Sequence, residues 1–334
     1  LKNKRSKLAV LFILGSSLNM LAQENVEEDG HAHNNMPTPQ QIDSLLHVIT
    51  PSKEHAAKFS ELVVQDAGGR MKPINTFSSE LLRKLSLKDK YTDFNSDQVF
   101  LSMMLNPAAW YNAEFIALDK KGDNDSIRKI LGVEHGRKYI KATDFFNEKG
   151  EYKLTPYLQE AYATNTPNQF QKDFKALDER LVLLDQALGG KIVKIFPLLN
   201  DENNKWISAV EYRAGQFQVS DSLYANFIKN AVPFYLMSLE KAVRNGDYSE
   251  ADKLLAAFKK NQENHGSEVL PSENKIKAEI FYNKADIYNK LYKYYALVGL
   301  LMFVLLVFQI IKDRKALRFS IASIKVLIYL FFIL

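Results

Sequence analysis

The sequence predicts a mainly α protein: an irregular helical extracytoplasmic domain with a few short strands, followed by transmembrane helices. Three observations carry that expectation. Phe170–Leu188 repeats its apolar residues at helical spacing and stops at Gly189-Gly190, as a helix with a glycine C-terminus should. Leu223–Arg244 and Ser249–Asn261 read as two helices joined at Asn245-Gly246-Asp247. Tyr294–Ile311 is an apolar run with only Gln309 polar beyond its two leading tyrosines, and about 27 Å of helix fits a bilayer core.

The ends of the chain set the topology. The 334 residues carry 44 Lys+Arg and 39 Asp+Glu, a formal net charge of +5. Lys2, Lys4, Arg5 and Lys7 supply four of those charges. Residues 312–334 supply another net four, so residues 8–311 are mildly acidic. That distribution argues against a nucleic-acid surface and for a membrane protein oriented by charge asymmetry. Leu8–Leu21 follows the first basic cluster and precedes Ala22-Gln23, so residues 1–23 read as a secretory signal or as the exit end of a membrane helix. Either way residue 24 onward crosses the membrane.

At the other end, Tyr292, Tyr294 and Tyr295 stand at the entrance of the span 291–311, where amphipathic rings favour the headgroup layer. The basic loop 312–318 then belongs in the cytoplasm. Residues 319–334 begin a second span in which Lys325 snorkels to the interface. The chain opens on Leu and stops inside an apolar run, the pattern expected of a piece of a longer multi-pass protein.

Between the ends, residues 24–54 read as a polar linker, disordered to about Pro39, and 55–290 as the extracytoplasmic domain. Leu62-Val63-Val64 is strand-like and runs into an Ala67-Gly68-Gly69 turn. Thr76 can cap a helix Phe77–Leu87. Residues 97–106 read as a buried helix ending before Pro107. Ile192–Leu199 is a short extended run with Trp206-Ile207 as a neighbour. Gly246, Tyr248 and Ala251 look locally like a tetratricopeptide hairpin, but one pair is not an array. Ser272 can cap a helix with no breaker from Glu273 to Ile311, a rigid link to the membrane.

Candidate chemistry is sparse. The chain has no Cys, which excludes a disulfide framework, a thiolate metal site, a cysteine nucleophile and a haem-attachment motif within it. His31 and His33 can face the same side of an extended loop and meet one metal or haem iron, although two ligands on a tail fall short of a fixed site. Their alternative is a solvated linker. His47, His55, His135 and His265 are scattered. Arg70 and Lys72 alternate in phase after two glycines and lead to a helix start, where an anion such as a propionate could sit. Their alternative is a hairpin turn with solvated charges. Trp110 and Trp206 could anchor a partner or pack in a core. Serine-nucleophile, zinc-protease, P-loop and dinucleotide motifs are absent.

Several stretches together resemble a known family. Val63-Val64-Gln65-Asp66, Gly69-Arg70-Met71-Lys72-Pro73-Ile74-Asn75-Thr76 and Glu80-Leu81-Leu82-Arg83-Lys84 resemble a segment of the fused CcsB–CcsA-type (system II) cytochrome c biogenesis proteins, in the form found in Bacteroidetes-like bacteria. Asp97-Gln98-Val99-Phe100-Leu101, Asn200-Asp201-Glu202-Asn203-Asn204-Lys205-Trp206 and Lys277-Ala278-Glu279-Ile280-Phe281-Tyr282-Asn283 extend the resemblance over most of residues 55–311.

The resemblance implies a haem exporter and holocytochrome c synthase, with haem as cofactor, and with apocytochrome c, a CcsB-like half and membrane lipid as partners. It also implies the inner membrane, with residues 24–291 periplasmic. Family chemistry belongs to a tryptophan-rich outer loop and to axial histidines in membrane helices. No Trp follows Trp206 and no His follows His265, so no catalytic or haem-ligand residue is carried over. A second reading from the residues is a membrane-anchored sensor or scaffold that binds a ligand or protein outside the cell.

Overall fold

A computed structural model describes residues 37–118, 125–312 and 314–333. They form two compact units, one ending at Ile276 and one starting at Lys277. The first begins with α1 (Pro39–Ile49) and α2 (Lys53–Phe59), then strands β1 (Val63–Gln65) and β2 (Met71–Pro73) and helix α3 (Ile74–Ser86). Strands β3 (Lys90–Tyr91) and β4 (Phe94–Asn95) lead into α4 (Ser96–Leu105) and α5 (Pro107–Asn112). Next come β5 (Ile116–Ala117), α6 (Asp125–Leu131), β6 (Tyr139–Ile140), a short 3-10 turn, α7 (Thr155–Ala163) and α8 (Gln169–Leu188). The rest is β7 (Phe196–Pro197), β8 (Trp206–Ile207), α9 (Ala209–Arg213), α10 (Ser222–Asn245), α11 (Ser249–Gly266) and α12 (Glu273–Ala285), which crosses the unit boundary.

Consecutive strands pair antiparallel into four separate two-stranded ladders. The fold is mostly helical with a few short strands, as expected. Helix α4 lies at its centre. Every residue from Ser96 to Met104 is buried, and the helix packs against α2, α3, α5, α8 and α10. A helix buried on all sides is a core helix, so its sequence shows no solvent-facing polar stripe. An Asn95–Gln98 capping box starts it, and the chain turns at Asn106 before Pro107.

Three expectations need correction. The stretch 24–54 was expected to be linker, yet α1 starts at Pro39 and sends Ile42 and Leu46 into the core. Thr38 caps it with a reciprocal Gln41 box and a proline in the first turn, a start signal lying inside a polar stretch. Helix α3 starts at Ile74, three residues ahead of the expected Phe77, and Thr76 lies within it. Side-chain capping is unnecessary because Ile74 N–H donates to the Leu62 carbonyl (2.8 Å) and Asn75 N–H to the Ser60 carbonyl (3.0 Å).

The third correction concerns the helix expected to run unbroken to Ile311. It breaks in the second unit, where Asp286 is left-handed with φ 47° between α12 and α13 (Ile287–Ile311). Aspartate tolerates that region better than most residues, so no Gly or Pro marks the break. In this unit α13 packs against α14 (Lys315–Ile333). Among the described residues one helix, Lys290–Ile311, is long and apolar enough to cross a membrane. The second expected span falls in α14, which carries Lys315, Arg318 and Lys325.

One contact closes the first unit tightly. A Cβ added to Gly266, in the last turn of α11, would lie 2.5 Å from Trp206 Cζ2 and 3.0 Å from a Pro197 ring carbon. Helix propensity alone would make Ala at this site better by about 1 kcal/mol. The indole is 1% exposed and seated on the β7–β8 ladder, so it has little room to yield. Overpacking should prevail, and Gly266→Ala is expected to lower stability by about 1–3 kcal/mol in denaturant unfolding. A raised midpoint would show that the indole moves freely.

Candidate functional site

Three of the stretches that carry the resemblance, all in the first unit, meet in space around the β1–β2 hairpin. Gly69, at φ 86°, supplies the turn's left-handed residue. Asp66 Oδ1 accepts from the backbone N–H of Gly68 and Arg70, and Asp66 Oδ2 lies 2.7 Å from Lys72 Nζ. Lys72 Nζ also donates to Glu80 Oε2 at 2.8 Å. Burial lowers the pKa of this ammonium, but the hydrogen bonds to the two carboxylates outweigh it and leave the pKa above the ordinary lysine value. Gln65 joins the hairpin to the second motif: its Oε1 accepts from Trp206 N–H at 2.7 Å and its Nε2 donates to the Asn204 carbonyl. Asn75 Nδ2 and Ser78 Oγ donate to the two oxygens of buried Asp97, at 2.8 and 2.6 Å, and so join the third.

This geometry changes the reading of two candidate residues. Lys72 is an internal cation holding two carboxylates, and the first N–H groups of α3 are already bonded to carbonyls. Asp66 and Glu80 thus stand at the Lys72 ammonium, and the two N–H groups so bonded are those of Ile74 and Asn75. Arg70 is exposed beside the turn. His31 and His33 lie outside the described residues.

A second cluster escaped the sequence reading. His55 is 2% exposed on α2. Its Nδ1 lies 2.8 Å from Asp252 Oδ1 and its Nε2 3.0 Å from the Tyr235 hydroxyl, while Tyr248 stacks on the ring at 4.8 Å. A carboxylate only accepts, so Nδ1 carries the proton and Nε2 accepts from the phenol. Lys58 bonds the other Asp252 oxygen, and the Tyr248 hydroxyl accepts from Ser52 N–H at the start of α2. The cluster clasps α2 to the α10–α11 hairpin. Burial holds the His55 imidazolium below the ordinary histidine range, against the pull of Asp252.

A third feature is open. Helices α3, α7 and α8 line a groove of about 1510 Å³. Its floor is fixed: Arg180 Nη1 donates to the Ala117 carbonyl and Nε to the Lys84 carbonyl, and Asp178 accepts from the hydroxyls of Tyr152 and Tyr162. Leu87, Tyr162 and Val182 stand 42%, 46% and 44% exposed along it. Leu87 ends α3 in the left-handed region at φ 60°, which costs a residue with a Cβ about 1 kcal/mol relative to glycine. Exposed apolar residues on separate helices leave no periodic mark in the sequence, which is why the groove was not foreseen.

The described residues hold no group of three or more His, Cys, Asp and Glu side chains suited to a metal. Neither the groove nor the His55 cluster offers a free iron ligand. The groove lining carries no His, Met or Cys, Tyr162 already donates to Asp178, and both nitrogens of His55 are engaged.

Two outcomes test these assignments. Lys72→Met leaves two carboxylates facing each other and should cost about 1–3 kcal/mol, less than a fully buried pair because both acids reach solvent. An unchanged unfolding midpoint would return Lys72 to anion binding. The folded His55 takes up a proton less readily than the unfolded chain does, so its stabilisation is complete above about pH 6.5 and is lost as pH falls below that value. Unfolding free energy should therefore fall on acidification from pH 7 to 5, by at most about 1.4 kcal/mol per pH unit from this group. His55→Gln should flatten that dependence; an equal slope in variant and parent would refute the assignment.

No family model matches the chain. It is similar to Protein NrfI of Wolinella succinogenes, 30% identical over 254 residues that make up 75% of this chain and 27% of that protein. The chain thus spans about a quarter of the length of this curated relative.

Proposed function

We propose that this chain is the extracytoplasmic domain and first membrane helices of a fused CcsB–CcsA-type (system II) cytochrome c biogenesis protein. In this reading residues 24–291 lie in the periplasm and the inner membrane is crossed more than once. The domain supports haem delivery by docking the haem-free cytochrome beside the synthase part, with haem held by residues outside those described. The observation that carries the proposal is the similarity to NrfI over three quarters of the chain. The apolar helix Lys290–Ile311 supports membrane attachment, and a preformed groove with a fixed floor supports a docking role.

The domain has no assembled reaction centre among its described residues, so its share of the work is positioning a client for chemistry done elsewhere in the protein. Deleting residues 55–290 from the whole protein, with both membrane ends kept in frame, should abolish covalent haem attachment to c-type cytochromes. Haem-stained gels of membrane fractions give the readout. Normal holocytochrome levels would sink the proposal and favour a sensor or scaffold domain.

A further inference from the structure

From the groove between α3, α7 and α8 we infer a docking site for an apolar polypeptide segment that carries a carboxylate. The segment lays its apolar side chains on Leu87, Tyr162 and Val182 and sets its carboxylate against Arg83 and Lys84. Size is the first argument. A groove of about 1510 Å³ exceeds the roughly 300–1,000 Å³ usual for small ligands and matches a few turns of helix or an extended strip of chain.

Composition is the second argument. Leu87, Tyr162 and Val182 come from three different helices and are exposed together on one concave surface. Leu87 holds this place in a backbone conformation that favours glycine, so its side chain is kept at a cost to folding. Charge is the third. Arg83 and Lys84 are exposed on the α3 lip, and the structure records no side-chain partner for either. Of the other charged groups in the groove, Glu80 is paired with Lys72, Asp178 accepts two phenols and Arg180 holds backbone carbonyls. The lining as a whole is formally neutral, but its charges without a recorded side-chain partner are Arg83, Lys84 and Glu179, so the α3 lip presents two cations to a carboxylate.

This inference rests on the reading of the domain as a receiver of a haem-free cytochrome, and it names where and by what chemistry the client is held. The test uses the whole chain in detergent micelles. The probes are a fluorescein-labelled haem-free cytochrome c polypeptide and two amphipathic Leu/Phe-rich peptides of about 12 residues, one with a central Glu and one with Gln. The Glu peptide should bind at least about fivefold tighter than the Gln peptide, and the double variant R83E/K84E should abolish that preference. Leu87→Gly should weaken both the cytochrome polypeptide and the Glu peptide by about tenfold while leaving the thermal midpoint equal or higher. Should R83E/K84E fail to fold, the exposed-site variant Val182→Asp repeats the test.

Equal binding by parent and variants overturns the inference, as does absence of binding, binding of a second copy of the chain in the peptide's place, or displacement of the peptide by haem taken into the groove. The two readings fail separately. If deletion of residues 55–290 abolishes holocytochrome while the groove variants retain normal binding and yield, the groove inference falls and the domain's role stands. If the groove binds as expected but the deletion leaves holocytochrome normal, the reverse holds.

Discussion

Everything in the first unit is arranged around one constraint: a helix buried on every side must have each of its polar groups answered from within. Helix α4 carries Ser96, Asp97, Gln98 and Ser102 into the interior. Leaving any of them unpaired costs about 1–3 kcal/mol, and more for a charged group, so each fixes a neighbour. Asp97 draws Asn75 and Ser78 of α3 to it. Gln98 reaches the Pro51 carbonyl at the start of α2. Ser102 accepts from Trp110 Nε1 of α5 and meets the Thr50 hydroxyl beyond α1. These bonds orient the surrounding helices, and apolar packing then fills the spaces.

The same logic holds the strands. A two-stranded ladder is marginal in water by itself, and each ladder here has only two or three paired positions per strand. Side-chain amides complete their edges. Gln262 of α11 accepts from Val63 N–H and donates to the carbonyls of Val63 and Ile195. Gln65 does the equivalent work between the hairpin and β8. The resemblance stretches from the first unit are therefore dominated by residues that close the fold.

Local signals along the chain correspond to local structure. The Gly189-Gly190 stop, the Asn245-Gly246-Asp247 turn, the buried helix before Pro107 and the pairing of the 192–199 run with Trp206-Ile207 all appear where periodicity and turn chemistry placed them. What escaped notice depends on distant partners. The His55 clasp joins residues nearly 200 positions apart, and nothing around Lys53–Phe59 announces it. Thr76 resembled a cap because the carbonyls of Ser60 and Leu62, which do that job, come from another part of the chain. Lys72 resembled a free cation because Asp66 and Glu80 reach it only after the hairpin forms. Asp286 breaks a helix by adopting a conformation that its residue type merely tolerates.

The seating of the two tryptophans has an optical consequence. Both indoles are shielded from water, and they report on different structural neighbourhoods. Trp110 is hydrogen-bonded to the central helix, whereas Trp206 sits under the last turn of α11 against Gly266. With these two as the chain's whole complement, removing one leaves a single native fluorophore beside a known structural joint. Emission wavelength and quenching can then follow the loosening of each joint separately, without an attached dye.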